Sequence, residues 1–202
     1  MASHTSEETE IRAGVGRPRS GEIDEQIVAA ARALLAEGGY EAMTFEAIGK
    51  LTGIGRPTIY RRWPSKAHLA AAIAYGKNRP LPRTDGDLRM QIQALVDQVA
   101  RQYSHPEIAA AAIGLINTFN SDDGLRSELH KPAEDDARRQ MHEIVAAGKA
   151  DGSVCPDADA DILFDMIVGT LIFRIMFSSK EIPADHIGKL VDHLCRALTQ
   201  PA

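Results

Sequence analysis

Between Thr52 and Leu69 the sequence reads TGIGRPTIYRRWPSKAHL. It gathers Arg56, Arg61, Arg62 and Lys66 around Thr58, Tyr60 and the single tryptophan, Trp63. Residues of these types suit a polyanion. Arginine can give two hydrogen bonds to a guanine edge, and threonine or proline can lie against a thymine methyl. Tyrosine hydroxyls and lysine ammonium groups can hold phosphate oxygens. The chain as a whole is acidic, with a formal net charge of -5, which excludes a protein that coats nucleic acid over its entire surface. The charge is uneven, however. Residues 12–80 hold 11 Lys/Arg against 6 Asp/Glu, residues 81–202 hold 12 against 19, and residues 1–11 hold three Glu and no Lys or Arg. A basic module on an acidic body implies one end that faces a polyanion.

The elements that would position these side chains are legible around them. Apolar residues Ile23, Ile27, Ala30, Ala31, Leu34 and Leu35 recur at helical spacing until Gly38-Gly39. Thr44 is placed to cap a second helix with Phe45, Ile48 and Leu51 on one face, and Ala47 stands where a capping box would need Glu or Gln. Gly53 ends that helix at a corner needing the left-handed conformation, and Gly49 is small where two helices must approach. Pro57 suits the first turn of a third helix, which Trp63-Pro64 closes. Trp63 is expected to pack between the third and fourth helices, and Ser65 to cap the fourth, over 65–78. Helix, glycine corner and helix make a helix-turn-helix, whose second helix enters the major groove of DNA. Ile54 and Ile59 lock its interior, leaving Arg56, Pro57, Thr58, Tyr60 and Arg61 on the outer face.

The run from Thr44 to Leu69 resembles the DNA-binding signature of the tetracycline-repressor (TetR) family. The matching positions are Thr44, Ile48, Gly53, Ile54, Thr58, Ile59, Tyr60, the aromatic Trp63, Ser65, Lys66 and Leu69, with Gly38-Gly39-Tyr40 at the end of the first helix. The resemblance covers residues 23 to about 70. It departs at Gly49 and Thr52, where alanine is usual, and at Gly55, which lacks a capping side chain. It implies that Thr44, Tyr60 and Lys66 bind phosphates and that Arg56, Pro57, Thr58 and Arg61 face the major groove. Upstream, GVGRPRSG is similar to minor-groove arms, so Arg17 and Arg19 either touch DNA or belong to a solubilising tail.

The expected architecture is all-α with about nine helices. Residues 1–21 form a flexible arm, 22–78 the helix-turn-helix domain and 79–202 a helical effector-binding and dimerisation domain. The boundary falls in NRPLPRTDGD, residues 78–87. Five body helices are expected near 87–103, 106–119, 123–148, 159–178 and 184–199.

One short recognition helix reads few base pairs, so a homodimer on paired half-sites is expected. Residues 162–177, ILFDMIVGTLIFRIMF, are apolar nearly all round, which means core on one face and a partner on the other, or a helix central to one subunit. Ile187, Leu190, Val191, Leu194 and Leu198 recur helically in the last helix, and the two helices are expected to form a four-helix bundle with a second copy. Family members usually carry an effector pocket. Phe119, Met141, Phe164, Phe173, Arg174 and Phe177 are the candidates, with plain packing the competing reading. If buried, Arg174 needs a carboxylate, from Asp165, from elsewhere in a dimer, or from an anionic effector.

Other motifs point away from chemistry. DADAD at 157–161 lacks the later glycine and glutamate of a calcium loop and reads as helix-capping aspartates. His186, His193 and Cys195 do not converge on a metal, and no nucleophile or nucleotide-binding pattern occurs. No cofactor, no metal and no enzymatic activity are expected. Two cysteines, a polar N-terminus and the absence of a membrane-length apolar run fit a cytoplasmic protein with no membrane partner. The function expected is a repressor released from a palindromic operator by a small-molecule effector. The alternative is a helix-turn-helix regulator controlled by a protein partner or its own concentration.

Overall fold

The computed structural model describes residues 20–76, 87–178 and 182–199. Arg17, Arg19 and the acidic segment before them lie outside the described residues. Ten α-helices and no strand occur among the described residues. They are α1 (Ser20–Ala42), α2 (Phe45–Thr52), α3 (Arg56–Arg62), α4 (Lys66–Ala74), α5 (Leu88–Ser104), α6 (Pro106–Ser121), α7 (Asp123–Leu129), α8 (Lys131–Asp151), α9 (Ala160–Phe173) and α10 (Ala184–Thr199). A π turn, Arg174–Ser178, continues α9.

The helix expected over 123–148 is two helices that meet at His130. Asp122 caps α7 by accepting from the Leu125 amide at 2.9 Å, and Pro132 near the start of α8 has no amide to donate back across the junction. Gly39 takes φ 72 and ψ -168, so the glycine pair breaks the straight run of α1 and one further turn carries Tyr40 to Ala42.

Two hydrophobic cores form. The first joins α1 to α4 through Ile27, Leu35, Ile48, Ile59, Leu69 and Ile73, and α6 adds Ala111, Leu115 and Phe119 to it. The second joins α5, α8, α9 and α10 through residues such as Ile92, Met141, Ile167, Leu171 and Leu194. Burying such side chains fully contributes ~1.5–3 kcal/mol each. Thus α6, which lies beyond the 78–87 segment in the chain, completes the core of the helix-turn-helix module.

On α9 the apolar residues divide into two faces. Leu163, Ile167 and Leu171, one turn apart, are buried in the second core. Ile162, Met166 and Phe173, with Phe177 of the π turn, are exposed by 57%, 42%, 58% and 71%. The helix is therefore not central to its own subunit. On α10, Val191, Leu194 and Leu198 turn inward and Ile187 and Leu190 are half-buried. The exposed apolar surface thus belongs to α9 more than to α10. No helix among the described residues is long and apolar enough to cross a membrane.

Candidate nucleic-acid interface

The corner begins at Thr44, whose hydroxyl oxygen accepts from the Ala47 amide at 3.1 Å and starts α2. Phe45 and Ile48 are buried. Gly53 takes φ 70, and its amide donates to the Gly49 carbonyl at 2.9 Å. A Cβ on Gly49 would stand 3.1 Å from the Ile54 carbonyl oxygen, so the small residue there lets the chain turn close over α2. Leu51 does not share the inward face. It is 62% exposed, because that face is made by Phe45, Ile48, Gly49 and Thr52, and the ~100° turn per residue carries Leu51 to the outside.

On α3, Ile59 is fully buried while Arg56, Pro57, Tyr60 and Arg61 are exposed and Thr58 is half-buried. Gly55 occupies the N-cap without a side-chain bond, and Pro57 follows in the first turn. The Tyr60 ring stands edge-on to Phe45, with centroids 4.9 Å apart, so packing fixes its direction. Glu46 sits beside this face. Its carboxyl is held below the ordinary range by a hydrogen bond and charge from Lys50, and further by Arg56. Arg56 thus has a carboxylate within electrostatic reach.

The third basic residue of the cluster, Arg62, turns inward. It pairs with Asp24 of α1 and keeps only 15% of its side chain exposed. Trp63 packs against the first core beside it, at the junction of α3 and α4. Ser65 holds the N-cap position of α4 but makes no capping bond. Its hydroxyl meets His68 Nδ1 at 2.8 Å, and His68 Nε2 meets Glu128 of α7 at 3.3 Å. Lys66 opens α4 with its ammonium 4.0 Å above the Tyr40 ring and 3.5 Å from Glu41. Sequence reasoning missed the inward role of Arg62 and the His68 bridge, since each depends on which distant helix lies alongside.

The candidate effector residues are not brought together. Phe119 is buried in the first core and Met141 in the second. Phe173 of α9 and Phe177 of the π turn are exposed, their tilted rings in contact with centroids 5.4 Å apart. Arg138 of α8 covers the Phe164 ring at 4.4 Å and binds Asp161 and Asp165 at 3.1 and 2.8 Å. Asp165 is therefore not the partner expected for Arg174. Nine residues separate the two, which puts them on opposite sides of a helix, and the Arg174 Nε is buried without a hydrogen-bond partner among the described residues. Asp159 caps α9 through the Asp161 and Ile162 amides at 2.8 and 3.1 Å, so the aspartate run serves helix and ion pair. A cleft of about 340 Å³ lies elsewhere, between the α3–α4 corner and the α7–α8 junction, lined in part by Trp63, His68, Tyr75, Glu128 and Pro132.

Residues 27–73 match the family model described as bacterial regulatory proteins, tetR family, and residues 82–194 match that of the tetracyclin repressor-like C-terminal domain. An uncharacterized HTH-type transcriptional regulator of Mycobacterium tuberculosis is 27% identical over 169 residues, covering 83% of each chain. A DNA-binding transcriptional repressor TetR of Mycobacteroides abscessus is 25% identical over 191 residues, covering 87% of this chain and 93% of that one. The fold is shared with TylP, a TetR regulator from Streptomyces fradiae, at a TM-score of 0.65 and 21% identity over 91% of this chain and 90% of that one. With family models matched over residues 27–73, which hold the helix-turn-helix corner, and 82–194, which hold the helical body, the chain belongs to the TetR family of DNA-binding transcriptional regulators.

Proposed function

We propose that this regulator acts in the cytoplasm as a homodimeric repressor, bound to a palindromic operator and released by a small-molecule effector. The observation that carries the DNA reading is α3 itself. Ile59 is locked in the core while Arg56, Pro57, Tyr60 and Arg61 stand outward on one short helix. In this reading Arg56, Pro57, Thr58 and Arg61 meet base edges, and Thr44, Tyr60 and Lys66 hold phosphates.

Dimerisation is supported by the apolar outer face of α9, where Ile162, Met166, Phe173 and Phe177 cluster. A second copy turned about a twofold axis would cover this face, with Ile187 and Leu190 of α10 alongside. Effector binding would shift α4 so that the two recognition helices stand at the wrong separation, a coupling of ~1–3 kcal/mol.

A second reading, control by a protein partner or by concentration alone, is favoured by one observation. The candidate ligand residues Phe119, Met141, Phe173, Arg174 and Phe177 are spread over two cores and an outer face. One experiment separates the two. Operator DNA is selected from random duplexes, stoichiometry is read by sedimentation, and the complex is challenged with a metabolite panel. Two chains per duplex and release by one compound class support the first reading. Two chains with no release support the second. One chain per duplex removes the dimer from both.

A further inference from the structure

We propose that Tyr40 is a positioning residue through which helix α6 sets where the Lys66 ammonium stands, and so sets its hold on a DNA phosphate. The inference rests on the reading above that Lys66 holds a phosphate. Its own content is that the lysine answers to the body of the protein through one aromatic ring.

Three contacts meet at that ring. The first is with the backbone of α6. A Cβ built on Gly114 would fall 2.0 Å from Tyr40 Cγ, 2.3 Å from Cδ2 and 2.4 Å from Cβ, so the ring sits directly on the glycine. Packing of this closeness leaves no slack, and a shift of α6 must move the ring. The second is one turn further along α6, where the Thr118 side chain lies near enough to oppose the rise that burial gives the phenol's pKa. Gly114 and Thr118 are four residues apart and so share a face of the helix. The third is Lys66, whose ammonium lies 4.0 Å above the ring centroid.

The ring outweighs the other neighbour of Lys66. Glu41 lies 3.5 Å away but is 93% exposed, and an ion pair so open to water contributes little. Lys66 retains only 27% of its side-chain exposure, whereas Lys50, in an exposed pair on α2, retains 75%. Lys66 is thus held on a platform and Lys50 is not. The platform is connected to the body, because α6 packs on α1 and α4 in the first core and also on α5 of the second. A rearrangement of the second core therefore reaches Lys66 by a chain of direct contacts: α5, α6, Tyr40, ammonium. The local sequence supports the arrangement. Gly39, with φ 72, breaks α1 immediately before Tyr40.

The test uses the full chain and a mixed-sequence duplex of about 30 base pairs, because a phosphate contact is independent of sequence. Binding is measured across a salt series. Each phosphate contact contributes ~0.9 to the slope of log K against log salt. Lys66→Ala is expected to lower the slope by about 1 for each Lys66 that reaches a phosphate. Tyr40→Leu is expected to lower it equally, and Tyr40→Leu combined with Lys66→Ala to lower it no further. Tyr40→Phe keeps the ring and is expected to retain the wild-type slope. A slope unchanged in Lys66→Ala overturns the phosphate reading. A slope lowered in Lys66→Ala but unchanged in Tyr40→Leu overturns the positioning role alone. A second readout covers a Tyr40→Leu variant that fails to fold. In the wild type, the Lys66 ε-methylene proton resonance is expected upfield, under the ring current of Tyr40. Thr118→Val, which removes only the hydroxyl that acts on the phenol, is expected to move that resonance and leave those of Lys50 in place. An ε-methylene resonance at its free-lysine position in the wild type, or one unmoved by Thr118→Val, overturns the proposal.

Discussion

Arg62, the last residue of the recognition helix, pairs with Asp24 in the second turn of α1. The pair fixes the end of α3 against the first helix, so the angle at which Arg56 and Arg61 are presented depends on a carboxylate far upstream in the chain. Arg62→Ala is expected to lower unfolding stability by about 1 kcal/mol, the upper end for an ion pair partly open to water. It is also expected to weaken specific DNA binding without removing a DNA contact. Urea unfolding followed by duplex titration measures both, and Asp24→Asn is expected to share the second effect.

The corner itself tests the geometry of the motif. Gly53 takes φ 70, a conformation that costs a residue with a Cβ ~1–2 kcal/mol. Nothing lies within 4 Å of the position a Cβ would occupy there. Gly53→Ala is therefore expected to destabilise through the backbone alone, by about that amount, and thermal unfolding measures it. Gly49→Ala, where the added Cβ stands 3.1 Å from the Ile54 carbonyl oxygen, asks the corner to give by only a few tenths of an ångström and is expected to cost less than Gly53→Ala.

His130 gives the stability a pH dependence of known sign. Its ring packs against Tyr75 and Phe119, with centroids 5.1 and 5.6 Å away. Burial pushes its pKa below the ordinary value of 6.5, Glu134 opposes that shift and Arg126 adds to it. The neutral ring is the form the fold favours. Its contribution is fully present above about pH 6.5 and is lost as the pH falls through the lowered folded value. His130→Leu is expected to flatten the fall in unfolding free energy on the acid side of pH 6.5, measured by denaturant titration at stepped pH.

The outer face of α9 carries the dimer reading. Phe173→Glu with Ile162→Glu places two charges among residues now 58% and 57% exposed, outside the subunit's own core. The expected outcome is a folded monomer with little loss of unfolding stability measured at the monomer level. Sedimentation equilibrium reads the mass, and duplex titration is expected to show specific affinity lost with it.

Much of the corner was legible because its chemistry is local. Thr44 caps, Gly53 turns left-handed and Pro57 opens α3, each within a few residues of its partners. Leu51 was not, because an eight-residue helix leaves its inward face undetermined until α1 and α3 are packed against it. In the body, periodicity told which residues of a helix share a face but not which helix that face would meet. Phe119 accordingly joined the first core through α6, and Asp165 met Arg138 of α8 and not Arg174. The split of the 123–148 helix at His130 turned on a cap at Asp122 and a proline at 132, signals weaker than the continuous helical pattern around them.

The sharpest measurement compares the wild type with Arg56→Ala in selection from random-sequence duplexes, sequencing what each chain retains. The wild type is expected to enrich an inverted repeat with half-sites about one helical turn apart, or a multiple of it. Arg56→Ala is expected to lose the preference for one base in each half-site, at a cost of ~1–3 kcal/mol, while binding unselected DNA as before. An identical motif from both chains, or no enrichment by the wild type, would contradict α3 as the helix that reads DNA.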